Sequence, residues 1–430
     1  MKIMKKLFLG LVAVAALASL SSCEGPMGPQ GPAGADGADG ADGADANQTC
    51  KLCHAPLSVD MIGQQFEWSK HKEGEAALEE AGRVECAPCH ESEGFKYVVE
   101  NNTSAGFTLG ATDYTNDYQV PATKAWGNIS CYTCHSAIHT TYGEADIALT
   151  TIAPVAMTMY GGTETLDLPG NSNLCVKCHQ PRPVTKNNGA SPKGAPIDYA
   201  ALAVPANLNN AYWTGTSASA GTGDVKPSFR TGGHYGTSGA IFAGKGGIEF
   251  AGGEAYTNSF HTDNASCTDC HMAEMGGSGG GGHTFYVKGN LNGCNTAECH
   301  NGAVTTATGN AYWDTPRKNI KALLDQLAGL LTVVHSNGNT YELLNRDATE
   351  TNLWLGHTTN NYDGYWNIYN SSNPNGQIPN TWFTITNKQM GAIHNFQFGL
   401  REYSLGIHNY KYTHALLSNT IEVLGATPVN

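Results

Sequence analysis

Apolar residues recur at helical spacing in two stretches of the C-terminal third. Ile320, Leu323, Leu324, Leu327, Leu331 and Val334 share one helix face. Thr315-Pro316 reads as the N-cap of that helix followed by proline at its first position, and His335-Ser-Asn-Gly as its end. A second helix carries Leu416, Leu417, Ile421 and Leu424. Further upstream, Ser58 reads as the cap of a short helix through Phe66 and Trp68 that delivers His71. The Thr/Asn/Gly-rich stretch around Tyr114 and Tyr118 reads as loops with short strands.

Elsewhere the pattern is neither helical nor alternating. The chain has 430 residues, of which 52 are glycine and 40% hydrophobic, with long runs of Gly, Thr, Asn and Ser. The fold class this implies is mostly irregular with α-helices, short of apolar mass for its length. At the N-terminus, Lys2, Lys5 and Lys6 precede an apolar run, Leu7 to Leu20, too short to span a bilayer comfortably. Residues 1–22 therefore read as a signal peptide. The run ends Leu20-Ser21-Ser22-Cys23, which resembles a bacterial lipobox and makes Cys23 a candidate for lipidation and membrane anchoring. Residues 23–46 hold that cysteine and seven Gly-X-Y triplets from Gly25 to Asp45, a collagen-like period. The triplets read as a solvated spacer of about 60 Å when extended, with a homotrimer as the alternative. Loss of the three leader lysines leaves 21 basic against 37 acidic side chains. That balance speaks against nucleic acid as a partner.

The cysteines change the picture most. Five units have the form C-x-x-C-H. The first joins Cys50, Cys53 and His54; the others are Cys86/Cys89/His90, Cys131/Cys134/His135, Cys175/Cys178/His179 and Cys267/Cys270/His271. A wider sixth is Cys294/Cys299/His300. With 16 histidines in 430 residues, a cysteine is followed by histidine about once in 27 by chance. Thirteen cysteines would then give about 0.5 such pairs, and six are present. C-x-x-C-H is the attachment sequence of a c-type haem. Two thiols add across the porphyrin vinyl groups, and the imidazole that follows meets the iron. Disulfides do not require the trailing histidine, and structural zinc favours paired C-x-x-C knuckles. Six covalently attached haem c groups would supply the missing apolar mass, giving a loop-rich fold wrapped around a haem stack and an unloaded chain of low stability.

Each iron then needs a second axial ligand or stays open. Ten histidines lie outside the motifs. His71, His139, His234, His261, His283 and His408 are the distal candidates, because each flanks a motif or follows a glycine-rich lead. His394 and His357 rank below them, and His335 and His414 read as capping or packing residues. Met272 and Met275 lie too close to His271 to cross over the same porphyrin, while Met157 and Met159 read as core.

The chain resembles the exported multihaem cytochromes c of respiring bacteria, outer-surface lipoproteins among them. The likeness rests on the five C-x-x-C-H units, NLCVKCHQ around His179, HTDNASCTDCHM joined to GGHTF at His283, and GIHNYKYTHALL around His408. It runs from about Cys50 to Leu417 and is weak over 100–125 and 301–390. The resemblance implies a multihaem cytochrome c fold organised around a stack of covalently bound haems. The haem domain would occupy 47–310, with 311–430 a helical segment packed on it. It further implies an electron carrier in an extracytoplasmic respiratory or extracellular electron-transfer chain, lipid-anchored at the outer membrane. Its partners would be other cytochromes and quinol-linked donors, with extracellular acceptors and filament assembly as further options. The alternative is a reductase of a small nitrogen or sulfur oxyanion at one open haem. The chain lacks a C-x-x-C-K motif of the nitrite-reductase type.

Overall fold

The computed structural model describes residues 58–74, 86–101, 108–109, 114–115, 127–135, 138, 140, 144–186, 196–215, 221–223, 225–277, 279–287, 289–346, 361–369, 374–379 and 383–429. The signal peptide, Cys23 and the triplet spacer lie outside the described residues. So do Cys50, Cys53 and His54 of the first motif, together with His139 and His357.

The first part is a set of short helices: α1 (Ser58–Glu67), α2 (Lys70–Glu73), α3 (Ala87–His90), α4 (Ser92–Glu100) and α5 (Cys131–Cys134). Two-residue strands β1 (Thr108–Leu109) and β2 (Tyr114–Thr115) pair antiparallel before α5. The middle holds the pair β3 (Val155–Ala156) and β4 (Thr165–Leu166), then α6 (Ser172–Val176), β5 (Ala211–Gly215) and β6 (Gly221–Gly223). After these come α7 (Ser238–Phe242), α8 (His261–Asn264) and α9 (Cys267–His271). The last part opens with α10 (Asp314–Leu330), the hairpin β7 (Thr332–Val334) and β8 (Thr340–Glu342), and the pair β9 (Leu344–Arg346) and β10 (Tyr362–Trp366). Strand β11 (Thr384–Thr386) then returns to β5, setting Ile385 opposite Trp213 and completing the order β11-β5-β6. Helices α11 (Asn387–Arg401) and α12 (Tyr410–Val423) close the chain. The described residues from Ser58 onward belong to one compact unit.

A continuous apolar core gathers Leu323, Leu324 and Leu327 from α10, Ile393 and Phe396 from α11, and Leu417 from α12. Each is sealed from solvent and stabilises the fold by about 1.5–3 kcal/mol on burial. This corrects the expectation of a chain short of apolar mass: the average composition hides a concentration of aliphatic residues after residue 313. Helix α11 is covered on nearly every face, from Met390 to Arg401. It therefore has no polar stripe by which its period could be read. Thr386 caps it, accepting from Gln389 N at 3.3 Å while its own N–H donates to Gln389 Oε1 at 2.9 Å.

Helix α10 departs from expectation at both ends. It starts at Asp314, whose Oδ2 accepts from Gly309 N at 2.6 Å and pairs with Lys318 Nζ at 2.7 Å, so Pro316 sits inside the first turn. It stops at Leu330, because the β-branched run Thr332-Val333-Val334 goes extended into β7. Val334 is 68% exposed rather than on the apolar face, and His335 lies in the hairpin turn, its Nδ1 accepting from Asn337 N at 3.2 Å. Leu424 falls one residue beyond α12 as its C-cap.

Candidate cofactor site

The cysteine motifs share one local geometry. A single helical turn brings the motif histidine N–H onto the carbonyl of the first cysteine: His90 to Cys86 at 3.0 Å, His135 to Cys131 at 2.9 Å and His179 to Cys175 at 3.0 Å. The turn gathers both thiols and the imidazole at one end of a short rigid unit. Local caps fix two of these turns. Ser266 accepts from Asp269 N at 3.3 Å and donates to Asp269 Oδ2 at 2.7 Å ahead of Cys267. Ser130 N donates to Thr133 Oγ1 at 3.0 Å ahead of Cys134. The wider motif reaches the same closure despite its extra residues, with His300 N donating to Cys294 O at 3.0 Å. None of the ten described motif cysteines is in a disulfide. Cys50 and Cys53, the remaining two, belong to the motif outside the described residues.

Four of the five described motif histidines face one histidine from outside the motifs. Ring centroids are 6.1 Å apart for His179 and His71, 6.1 Å for His90 and His234, 6.0 Å for His300 and His261, and 6.1 Å for His271 and His408. His283 lies near His135: burial lowers the pKa of His283, and a charge on His135 lowers it further. Two metal–nitrogen bonds of roughly 2 Å in line, plus about 1 Å from each ring nitrogen to its centroid, put two axial imidazoles about 6 Å apart. The separations fit an iron held between two imidazoles, and the adjoining thiols fit a porphyrin held by two thioethers. Among the described residues, no three or more His, Cys, Asp or Glu side chains gather to hold a bare metal ion. A bare zinc asks the protein for three or four ligands, whereas a haem iron asks for two.

The protonation states agree with ligation. Burial lowers the pKa of His71, His234, His261 and His271, and takes His179 down to about 3. These rings are therefore neutral at pH 7, the form that binds a metal. Several present Nδ1 to an acceptor: His135 to Ile147 O at 2.8 Å, His271 to Phe285 O at 2.8 Å and His261 to Ile407 O at 3.2 Å. A carbonyl only accepts, so Nδ1 carries the proton and Nε2 keeps its lone pair for a metal. His408 differs, with Nδ1 2.6 Å from Oε2 of the buried Glu402. Burial pushes its pKa down, but the hydrogen bond and charge of Glu402 outweigh this and raise it.

The distal loops are pinned by the surrounding fold. His234 lies on a loop whose Thr231 carbonyl accepts from Trp366 Nε1 at 2.7 Å and Gln397 Nε2 at 2.9 Å, and whose Gly233 carbonyl accepts from Arg401 Nη1. Gly232 holds φ 146° directly against the Gln397 side chain, where a Cβ has no room. His283 follows the glycine run, with Gly281 and Gly282 at positive φ, and its N–H donates to Gln65 Oε1 of α1 at 2.9 Å. His71, on α2, has Phe285 edge-on at 4.7 Å. Buried Asn409 accepts from Ser259 N at 2.9 Å, tying the start of α12 to the approach to His261.

Contacts between thiols give the order of the motifs in space. The Cys89 and Cys178 thiols shift each other's pKa, as do those of Cys175 and Cys267 and those of Cys270 and Cys294, so these pairs are neighbours. Cys134 is near enough to Cys175 and Cys178 to raise their pKa values by its charge. The run is therefore Cys86/Cys89, Cys175/Cys178, Cys267/Cys270, Cys294/Cys299, with Cys131/Cys134 beside the second of these.

Three remaining histidines have other partners. His394 is sealed in the core, donating from Nε2 to Gly246 O at 2.9 Å and stacked on Phe398. His414 faces Glu254 Oε2 at 2.9 Å, and His335 sits edge-on to Tyr341. Glu402 was not legible as a site residue, since nothing in Glu-Tyr-Ser-Leu-Gly-Ile-His marks a carboxylate that turns back onto the sixth residue after it. No helix among the described residues is long and apolar enough to cross a membrane. No family model matches the chain, and neither curated proteins nor solved structures give a match.

Proposed function

We propose that the chain is a multihaem c-type cytochrome that carries electrons along an array of six haems outside the cytoplasm. The observation that carries this reading is the set of four imidazole pairs at 6.0–6.1 Å, each joining one motif histidine to one distal histidine. When bound, the haem iron supplies a reversible one-electron ferric/ferrous couple. The cysteines fix each porphyrin covalently. The motif histidines would hold the iron, together with His71, His234, His261, His283 and His408. Two strong-field imidazoles leave an iron no place for a substrate, which favours electron transfer over catalysis at these five sites. An open, oxyanion-reducing iron would then fall to the site of Cys50, Cys53 and His54 alone, and His139 is the candidate that would close it. The interlocked thiols support short steps between neighbouring sites. We propose further that Cys23 carries the lipid anchor and that the triplets set the haem domain off from the membrane, facing other redox proteins.

A second reading rests on the same thiol contacts. A disulfide scaffold would join the same neighbours: Cys89 with Cys178, Cys175 with Cys267 and Cys270 with Cys294. It leaves the histidine pairs without a purpose. Mature protein from a cytochrome-maturing host decides between them. Six covalent haems by mass, with a low-spin ferric spectrum, support the cytochrome. A colourless chain with bridged cysteines refutes it.

A further inference from the structure

We propose that Glu402 is a positioning residue that makes the site between His271 and His408 the most reducing in the array. The inference rests on the cytochrome reading above. The Glu402 side chain is fully buried, and its Oε2 lies 2.6 Å from Nδ1 of His408. The carboxylate is aimed by its own loop: Ser404 Oγ donates to Oε2 at 2.7 Å and Gly406 N donates to Oε1 at 2.9 Å. Ser404 Oγ also accepts from His408 N at 3.0 Å, so one hydroxyl holds both partners. Tyr403 and Leu405 take up φ 66° and 56° to make this turn, at a cost of about 1–3 kcal/mol each for non-glycine residues. Strain of that size, spent to bring a carboxylate onto an imidazole, points to a purpose for the contact.

The chemistry follows from what Nδ1 meets. His135, His271 and His261 donate to neutral backbone carbonyls, whereas His408 donates to a carboxylate. A charged acceptor roughly doubles the strength of the bond and draws the Nδ1 proton away from the ring. Nε2 becomes the more basic, more imidazolate-like donor, as in carboxylate–histidine–metal triads. A stronger donor favours the ferric over the ferrous ion, so the couple moves to lower potential. No proton or atom is exchanged; one electron enters or leaves from a neighbouring redox centre. The site lies inside the run, its Cys267 against Cys175 and its Cys270 against Cys294. The most reducing step therefore separates the Cys294/Cys299 end from the rest.

The test is a spectroelectrochemical titration of the haem-loaded protein followed by electron paramagnetic resonance, comparing wild type with Glu402→Gln. The His271 and His408 rings lie within 28° of parallel, whereas the other measured pairs stand at 69–82°. Near-parallel imidazoles give a rhombic low-spin signal and near-perpendicular ones a strongly axial signal, so this site is told apart from those three. The rhombic signal should be the last to be reduced in wild type. Glu402→Gln should shift its ferric preference by about tenfold, or about 59 mV upward, and leave the other couples in place. If Glu402→Gln loads fewer haems than wild type, Glu402→Asp, which withdraws the charge from Nδ1, should shift the same couple upward by less. A fully loaded, low-spin variant with the rhombic couple unmoved or lowered would overturn the role of Glu402 and leave the cytochrome reading standing. Wild-type protein without haem would overturn both.

Discussion

Replacing His71 with alanine isolates one axial position. His71 is capped into α2 by Ser69, whose Oγ accepts from Lys72 N at 3.3 Å, and its ring lies 6.1 Å from His179. The other histidines that act electrostatically on His179 are His271, His408 and His90. His271 and His408 face each other and His90 faces His234, so none is spare to replace the lost ring. The variant should therefore gain one five-coordinate iron per chain. About one-sixth of the haem should turn high-spin, and the reduced protein should bind one more carbon monoxide per chain than wild type, with the haem count unchanged. The closure between residues 71 and 179 also disappears. In chain-entropy terms a loop of about 100 residues is worth about 4.7 kcal/mol, which sets the ceiling on the loss of stability to denaturant. Carbon monoxide titration and magnetic resonance at constant haem content measure the first effect. No added carbon monoxide site and no high-spin signal would remove His71 from the ligand set and break the pairing argument where it is most explicit.

Other perturbations reach different parts of the argument. Replacing Cys294 and Cys299 together with alanine should lower the covalent haem count from six to five by mass spectrometry; six would show that the widened motif attaches nothing. Leu324→Ala, at a fully buried core position, should cost about 2–5 kcal/mol in denaturant unfolding while haem content stays constant. His394 is buried and its pKa falls from 6.5 to about 4 through burial, opposed by its bond to Gly246 O. As pH falls through 6.5, the unfolded chain takes up a proton that the folded chain refuses until about 4, so stability should drop across that window by about 3 kcal/mol. His394→Gln should flatten this part of the pH–stability curve, and an unchanged slope would place the acid sensitivity elsewhere. In chain prepared without haem, hydrogen exchange should protect α10, α11 and α12 and leave 86–135 open; uniform protection would mean that the histidine pairs are not needed to hold that region.

What could be read in advance follows from which forces are local. The C-x-x-C-H units are legible because the pattern is written within five residues and because one helical turn, closed from His90 to Cys86 or from His179 to Cys175, completes it. The amphipathic faces of α10 and α12 are legible for the same reason, since Leu323, Leu324 and Leu327 or Leu416 and Leu417 repeat at the helical period. Helix α11 is not, because His394, Asn395, Gln397 and Arg401 are buried and bonded to distant loops rather than turned to solvent. The end of α10 depended on whether Val333 and Val334 continue a helix or open a strand, and pairing of Val333 with Tyr341 decides it. Which distal histidine meets which motif is set wholly by tertiary packing. His71 precedes its partner's motif by more than a hundred residues, whereas His261 lies close to His300 in sequence.

That spread of separations explains how a glycine-rich chain can be held in one arrangement. The large apolar core belongs to the segment after residue 313, with Tyr212, Trp213, Ile248 and Phe250 joining it from earlier in the chain. Around the second and third motifs, buried apolar contacts among the described residues are sparse, with Ala87 and Val98 forming a cluster of their own. There the chain needs closures rather than layers. The couples His71 with His179, His90 with His234 and His271 with His408 each join positions more than a hundred residues apart. Each would act on the unfolded ensemble as a cross-link does, and long loops gain most from closing. His271–His408 also ties α9 to the loop leading into α12, where the core begins. On the proposal above, the histidine that Glu402 would tune also helps fasten the haem sites to the hydrophobic part of the fold, so an altered Glu402 should be read out by potential before it is read out by stability.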